Sequence, residues 1–160
     1  ILMPDLFAHF ASGYLISRIP QLRMYTALLV LGAVLPDLLT RVPEIFFDRF
    51  LGLNVYHAVE IFHSPTVLFL VAFALSLLMD RSLRFQAFSS IFLGSLVHVV
   101  LDLMQIQFGE SVYMPYFPFS FVKIEFGFFH FNASIAIFPL LLPLVTIAFL
   151  VSRHASKDSF

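Results

Sequence analysis

The chain contains no cysteine and no tryptophan. Without thiols it can form neither disulfides nor thiolate metal sites, so any metal must be held by imidazole and carboxylate groups. Without tryptophan, an interfacial aromatic belt has to come from the 22 phenylalanines and 5 tyrosines. Charge is scarce as well. Asp, Glu, Lys and Arg make up 12% of the 160 residues, about half the share of an ordinary soluble domain. The net charge of −1 offers no basic footprint, so nucleic acid is not an expected partner. Hydrophobic residues reach 60% and the mean hydropathy is +0.95. A soluble domain of this length could not hide that much apolar surface, so the expected solvent and partner is a lipid bilayer. Internal repeats, low-complexity tracts and linkers are missing too, and residues 1–160 read as a single domain. The segment Ile1–Ser17 has no basic stretch and contains Asp5 and His9, a poor pattern for a signal peptide.

What is present predicts an all-α integral membrane bundle of about five helices with an aromatic-rich irregular loop. Pro4 suits a first helical position and opens a helix to about Ser17. A second helix is expected from about Met24 to Leu39, with Pro36 kinking its end and bringing Asp37 to the interface. The mixed segment Thr40–Phe62 reads as a surface helix and loop along the membrane. Ser64-Pro65 reads as N-cap and N1 of a third, apolar helix to about Met79. A hairpin at Asp80–Arg84 leads into a fourth helix ending near Met104, and Gln105–Asn132 should be irregular. A last helix is expected over Ala133–Val151, kinked near Pro139 and Pro143. If the turn with Arg18 and Arg23 is cytoplasmic, Arg81, Arg84, Arg153 and Lys157 fall on the same side. Arg41, Arg49 and Lys123 then lie opposite, which follows the positive-inside rule and places the protein in the cytoplasmic membrane.

The fourth helix carries His98 and Asp102. Four residues apart, their side chains share one stripe of a helix expected in lipid. Ionisable groups there are costly and point to function, although a hydrogen-bonded pair joining two helices would use the same spacing. The topology gathers His9, Asp37, His57, Glu60, His63, His98 and Asp102 towards the extracytoplasmic face. Such mixed nitrogen and oxygen donors suit zinc, one or two ions, whose bound water becomes a nucleophile near neutral pH. The same groups would also serve a non-enzymatic path for metal ions or protons, or simply specify helix packing. Two related halves with broken helices, as in many transporters, are not evident.

The succession His9, Leu35-Pro36-Asp37, His57…His63-Ser64 and Gly94…His98-x-x-x-Asp102 resembles the membrane-bound metal-dependent hydrolases of the YdjM-like group. Pro118-Phe119-Ser120 is similar to the proline-aromatic segment that follows the HxxxD motif in that group. The ligand order also resembles that of zinc-dependent phospholipase C. The resemblance implies a helical zinc site made by His9, Asp37, His63, His98 and Asp102, with His57 or Glu60 as a further ligand or general base. It also implies action on phosphoesters or esters, and the aromatic loop Tyr113–Phe131, expected to cover the site and receive an acyl chain, points to a lipid-like substrate. The chain departs from the group in four places. Ala58 follows His57 where the group has Arg, and Phe62 precedes His63 where it has Thr. The His57–His63 spacing is one residue longer, and Gln105 stands where Thr is usual.

Overall fold

The computed structural model describes residues 4–19, 22, 25–106, 113–130 and 140–151. Helix α1 (Pro4–Ile16) leads through a turn to the long α2 (Thr26–Leu51). A four-residue α3 (Tyr56–Val59) and a 3-10 turn (Glu60–His63) precede α4 (Pro65–Leu77) and α5 (Arg84–Met104). A last described helix, α6, covers Leu140–Val151. The expected all-α class holds: among the described residues, strand is confined to Gln105–Ile106 (β1) pairing in parallel with Phe129–His130 (β2). Pro139, His154 and the basic residues Arg23, Arg153 and Lys157 lie outside the described residues.

α2 and α5 form the centre, with α1 against α2 and α4 against α5. Both central helices are long and apolar enough to cross a membrane, and α5 at 21 residues is about 31 Å long. They can approach because their crossing is built from small residues. A Cβ on Gly32 would collide with the backbone of Ile91, and one on Gly94 with the carbonyl of Leu29. Such close backbone contact replaces the hydrophobic drive that lipid cannot provide. Leu29 and Ile91 are fully buried at this crossing and Leu68 of α4 against Val99 and Leu103 of α5, while Leu38, Leu70, Phe73, Phe85 and Val100 are exposed around the outside, as lipid contact requires.

The second helix differs from expectation. It does not stop near Leu39 but runs unbroken to Leu51 with both Pro36 and Pro43 inside it. It closes at Gly52, whose left-handed φ of 63° lets its N–H and that of Leu53 bond the carbonyls of Asp48 and Phe47. Of the segment Thr40–Phe62 expected along the surface, Thr40–Leu51 therefore belongs to α2, and the 3-10 turn buries Glu60 instead of exposing it. Proline ends a helix when the carbonyl it strands, four residues earlier, has no other donor. Here Pro36 strands the Gly32 carbonyl, and Ser95 Oγ from α5 lies 3.1 Å from that oxygen. One turn on, Thr40 Oγ lies 3.0 Å from the Pro36 carbonyl and 3.1 Å from that of Asp37. At Pro36 the donor therefore comes across the interface from the Ser95 hydroxyl, which also lies 3.0 Å from the Ile91 carbonyl of its own helix, whereas the Thr40 contacts are local to α2. None of the buried residues of α2 lies beyond Thr40, so the helix leaves the bundle one turn after Asp37.

At the same end of the bundle, the irregular aromatic segment is strapped to α5 and α4. Phe126 and Phe128 donate their N–H groups to the Leu103 and Met104 carbonyls at 2.6 and 2.8 Å. Ser64 occupies the expected N-cap position, yet its hydroxyl does not cap α4. It donates instead to the Phe117 carbonyl at 2.8 Å.

The α2–α5 crossing makes a direct prediction. Gly94→Val should destabilise the detergent-solubilised protein by at least the 1–3 kcal/mol typical of an overpacked core, about. Ser95→Ala should cost only about 0.6 kcal/mol, the mean for a helix-bridging hydrogen bond in a membrane. Thermal unfolding followed by circular dichroism reads both, and equal effects would contradict the packing described.

Candidate metal centre

The centre begins with the α5 stripe. His98 and Asp102 are 0% and 2% exposed, and His98 Nε2 lies 3.1 Å from Asp102 Oδ2. The ring is held from behind: His98 Nδ1 is 2.7 Å from the carbonyl of Ala33 on α2. A carbonyl can only accept, so Nδ1 carries the hydrogen and Nε2 is directed at the carboxylate. An uncharged His98 would then set a lone pair against a carboxylate oxygen. Only a cation between or on them, a proton or a metal ion, makes that arrangement favourable.

α1 adds His9. Gly13, one turn after it, packs so tightly that its Cβ would lie 2.7 Å from the Ala33 Cβ, and this close approach brings His9 onto α5. The His9 and His98 rings stack with centroids 3.7 Å apart, and His9 Nε2 is 3.1 Å from Asp102 Oδ1. From the 3-10 turn, His63 places its Nε2 3.4 Å from Asp102 Oδ2. Its ring lies against Tyr113 at 5.2 Å, behind the Ser64–Phe117 hydrogen bond. Burial dominates the electrostatics of this imidazole. Against the attraction of Asp102 it lowers the pKa of His63 to about 3, and His98, His9 and Arg41 push the same way. His63 is therefore a neutral nitrogen donor at physiological pH.

Asp37 completes the set from α2, one turn after Ala33. Its carboxylate and one nitrogen each of His9 and His98 lie within 4.8 Å of one another, and so do the ligand atoms of His63, His98 and Asp102. Five of the seven residues singled out from the sequence are thus brought together from four elements. They are close enough to bind a metal ion, and the donor set fits one. The buried Asp102 carboxylate needs compensating positive charge in a low-dielectric interior, imidazole and carboxylate are ligands of zinc and related divalent ions, and a ligating histidine typically gives its other N–H to a backbone carbonyl as His98 does.

The other two residues stand differently. Glu60 is 5% exposed and one turn before His63, but it belongs to neither converging group. His57 lies on α3, and its side chain is outside the described residues. His130, set aside from the sequence, is exposed on β2 and well removed in role. Sequence reasoning missed the Ala33 carbonyl, since a backbone acceptor leaves no side-chain trace. Pro36 three residues later was the available hint that carbonyls on this turn face a neighbour.

Comparison with curated proteins and with solved structures gives no match. A family model, the YdjM inner membrane protein, matches residues 5–158. That span includes every helix of the bundle and all five converging residues, and agrees with two helices fit to cross a bilayer. The chain belongs to the YdjM inner membrane protein family.

Proposed function

We propose that this membrane protein is a metal-dependent hydrolase acting on an ester or phosphoester of a lipid-like substrate, with zinc as its ion. The observation that carries the reading is the approach of three imidazole Nε2 atoms, from three different elements, to within 3.1–3.4 Å of the two oxygens of one buried carboxylate. Helix packing alone is satisfied by one such contact. In this reading His9, Asp37, His63, His98 and Asp102 are the metal ligands. A zinc ion held by them would polarise the scissile bond and lower the pKa of water towards neutrality.

The remaining work falls to the protein. Ala33 fixes the tautomer and direction of His98, and Gly13 sets the depth of His9. Glu60, buried beside the His63 turn, takes up the proton that hydrolysis releases, with His57 as the other residue placed for that role by sequence. Tyr113 and the strap behind Ser64 limit water at the His63 side. The substrate class follows from the exposed apolar surface of the bundle, with Phe119, Phe121 and Phe128 of the strap at 86%, 70% and 72% exposure.

Elemental analysis of the purified protein should find zinc bound, and His98→Ala and Asp102→Ala should lose it together with cleavage of phospholipids and model phosphoesters. Glu60→Gln should keep the metal and lose about 10²–10⁴-fold in rate, the usual worth of a general base. Metal bound and released without cleavage of any ester would contradict the hydrolase and favour an ion path through the same residues.

We further place the centre at the extracytoplasmic face, because the basic residues Arg81 and Arg84 cluster at the opposite end of α4 and α5. The chain lacks cysteine, so single reporters are clean. In intact spheroplasts a membrane-impermeant maleimide should label Glu125→Cys and leave Ser82→Cys untouched. The reverse pattern would invert the topology.

A further inference from the structure

The seam between α1 and α2 has two sides. On the inner side His9, Asp37 and the Ala33 carbonyl meet His98 of α5 at the centre, with Gly13 closing α1 onto α2. On the other side lies a groove of about 400 Å³ lined by Leu6, Phe7 and Phe10 of α1 and by Val34 and Leu38 of α2. Each wall is a helical stripe of residues one turn apart, so the groove runs along the helices rather than across them. Its volume falls within the range of small-molecule pockets, and its lining carries no polar side chain.

Two features tie this groove to the centre. The first is register. Phe10 directly follows His9 and Leu38 directly follows Asp37, so groove and centre stand at the same height on the same two helices. The second is access. Of the five converging residues, four are buried, at 1%, 7%, 0% and 2% exposure for His9, His63, His98 and Asp102, while Asp37 is only half-buried. Approach to the centre is therefore easiest on the α2 side of the seam, where Leu38 forms the groove wall. Below it, Leu31 and Leu38 continue as exposed apolar surface on α2, at 37% and 41%, and Phe10 does the same on α1 at 39%. A groove opening onto such a surface faces the hydrocarbon of the bilayer, and bilayer lipid is what covers it.

We propose that the α1–α2 groove seats one acyl chain of a membrane phospholipid, entering sideways from the bilayer, with its phosphoester presented to the centre past Asp37. This rests on the hydrolase reading for the fate of the headgroup, while the seat itself rests on the groove. It also moves the chain-binding role away from the aromatic strap, whose Phe119, Phe121 and Phe128 are exposed at 86%, 70% and 72%.

The test uses the full chain reconstituted in phosphatidylcholine vesicles, with a trace of phosphatidylglycerol carrying a diazirine near the middle of one acyl chain. After photolysis, the label should concentrate on peptides containing Leu6–Phe10 and Val34–Leu38. Val34→Trp, which fills the groove from a wall residue outside the centre, should reduce that label by about an order of magnitude. Its thermal unfolding and zinc content, measured alongside, report whether the fold and centre persist. Where Val34→Trp unfolds, Leu38→Phe serves as the milder obstruction. Label spread evenly over the exposed phenylalanines of α4 and α5, or unchanged in the folded obstructed variants, overturns the seat. Label confined to the groove in a protein that binds no zinc and cleaves no lipid supports the seat and removes the hydrolase reading instead.

Discussion

The structure turns on one hydrogen bond between side chain and backbone: His98 Nδ1–H to the carbonyl of Ala33, buried between the two central helices. A carbonyl in mid-helix is ordinarily spoken for by the N–H four residues on, and it faces along its own helix. In α2 the turn Gly32–Pro36 is altered at its source, because Pro36 has no N–H and leaves Gly32 to be satisfied from outside. Ser95 comes to Gly32 and His98 to Ala33, both from the same face of α5. The absence of a side chain at Gly32 and Gly94 is what lets that face come near enough. Proline, glycine and two polar residues therefore form one device. It locks two spans and, in the same act, aims an imidazole at a carboxylate.

Everything in the centre inherits its position from that lock. Asp37 lies one turn beyond Ala33 and Asp102 one turn beyond His98, so each acid comes within reach of His98 once the spans are fixed. His9 follows because Gly13 seats α1 on Ala33. His63 follows because Pro65 starts α4 at a defined point and Ser64 ties that point to the strap. Placing one carboxylate, Asp102, and three imidazoles out of water is expensive in a membrane. A bundle that needed only packing would have met the same contacts with one polar pair, so a bound cation is the economical explanation for the rest.

Much of this was legible in the residues. The i, i+4 spacing of His98 and Asp102, the Ser64-Pro65 start, the hairpin before α5 and the irregular aromatic segment all follow from periodicity and turn chemistry. The positions of His9, Asp37 and His63 near that stripe were expected from topology and from a family pattern. The extent of α2 was not. Pro36, Pro43 and the charges from Arg41 to Arg49 are local signs of a helix end, and at Pro36 they were overruled by Ser95, a donor that no window of sequence around Pro36 contains. The apolar groove was likewise hidden, because Leu6, Phe10, Val34 and Leu38 look like any lipid-facing residues until two helices set them opposite each other. Interactions between distant segments leave their mark only when both partners carry side-chain chemistry, and here half of the decisive ones involve backbone oxygens.

X-ray absorption at the zinc edge of the metal-loaded, membrane-reconstituted protein tests the central claim most directly. The account predicts a first shell of nitrogen and oxygen at about 2.0–2.1 Å with the multiple scattering of more than one imidazole, and no such bound ion in His98→Ala. A shell of oxygen alone, without imidazole scattering, would mean that the buried histidines and aspartates do not hold the ion, and the account would fail.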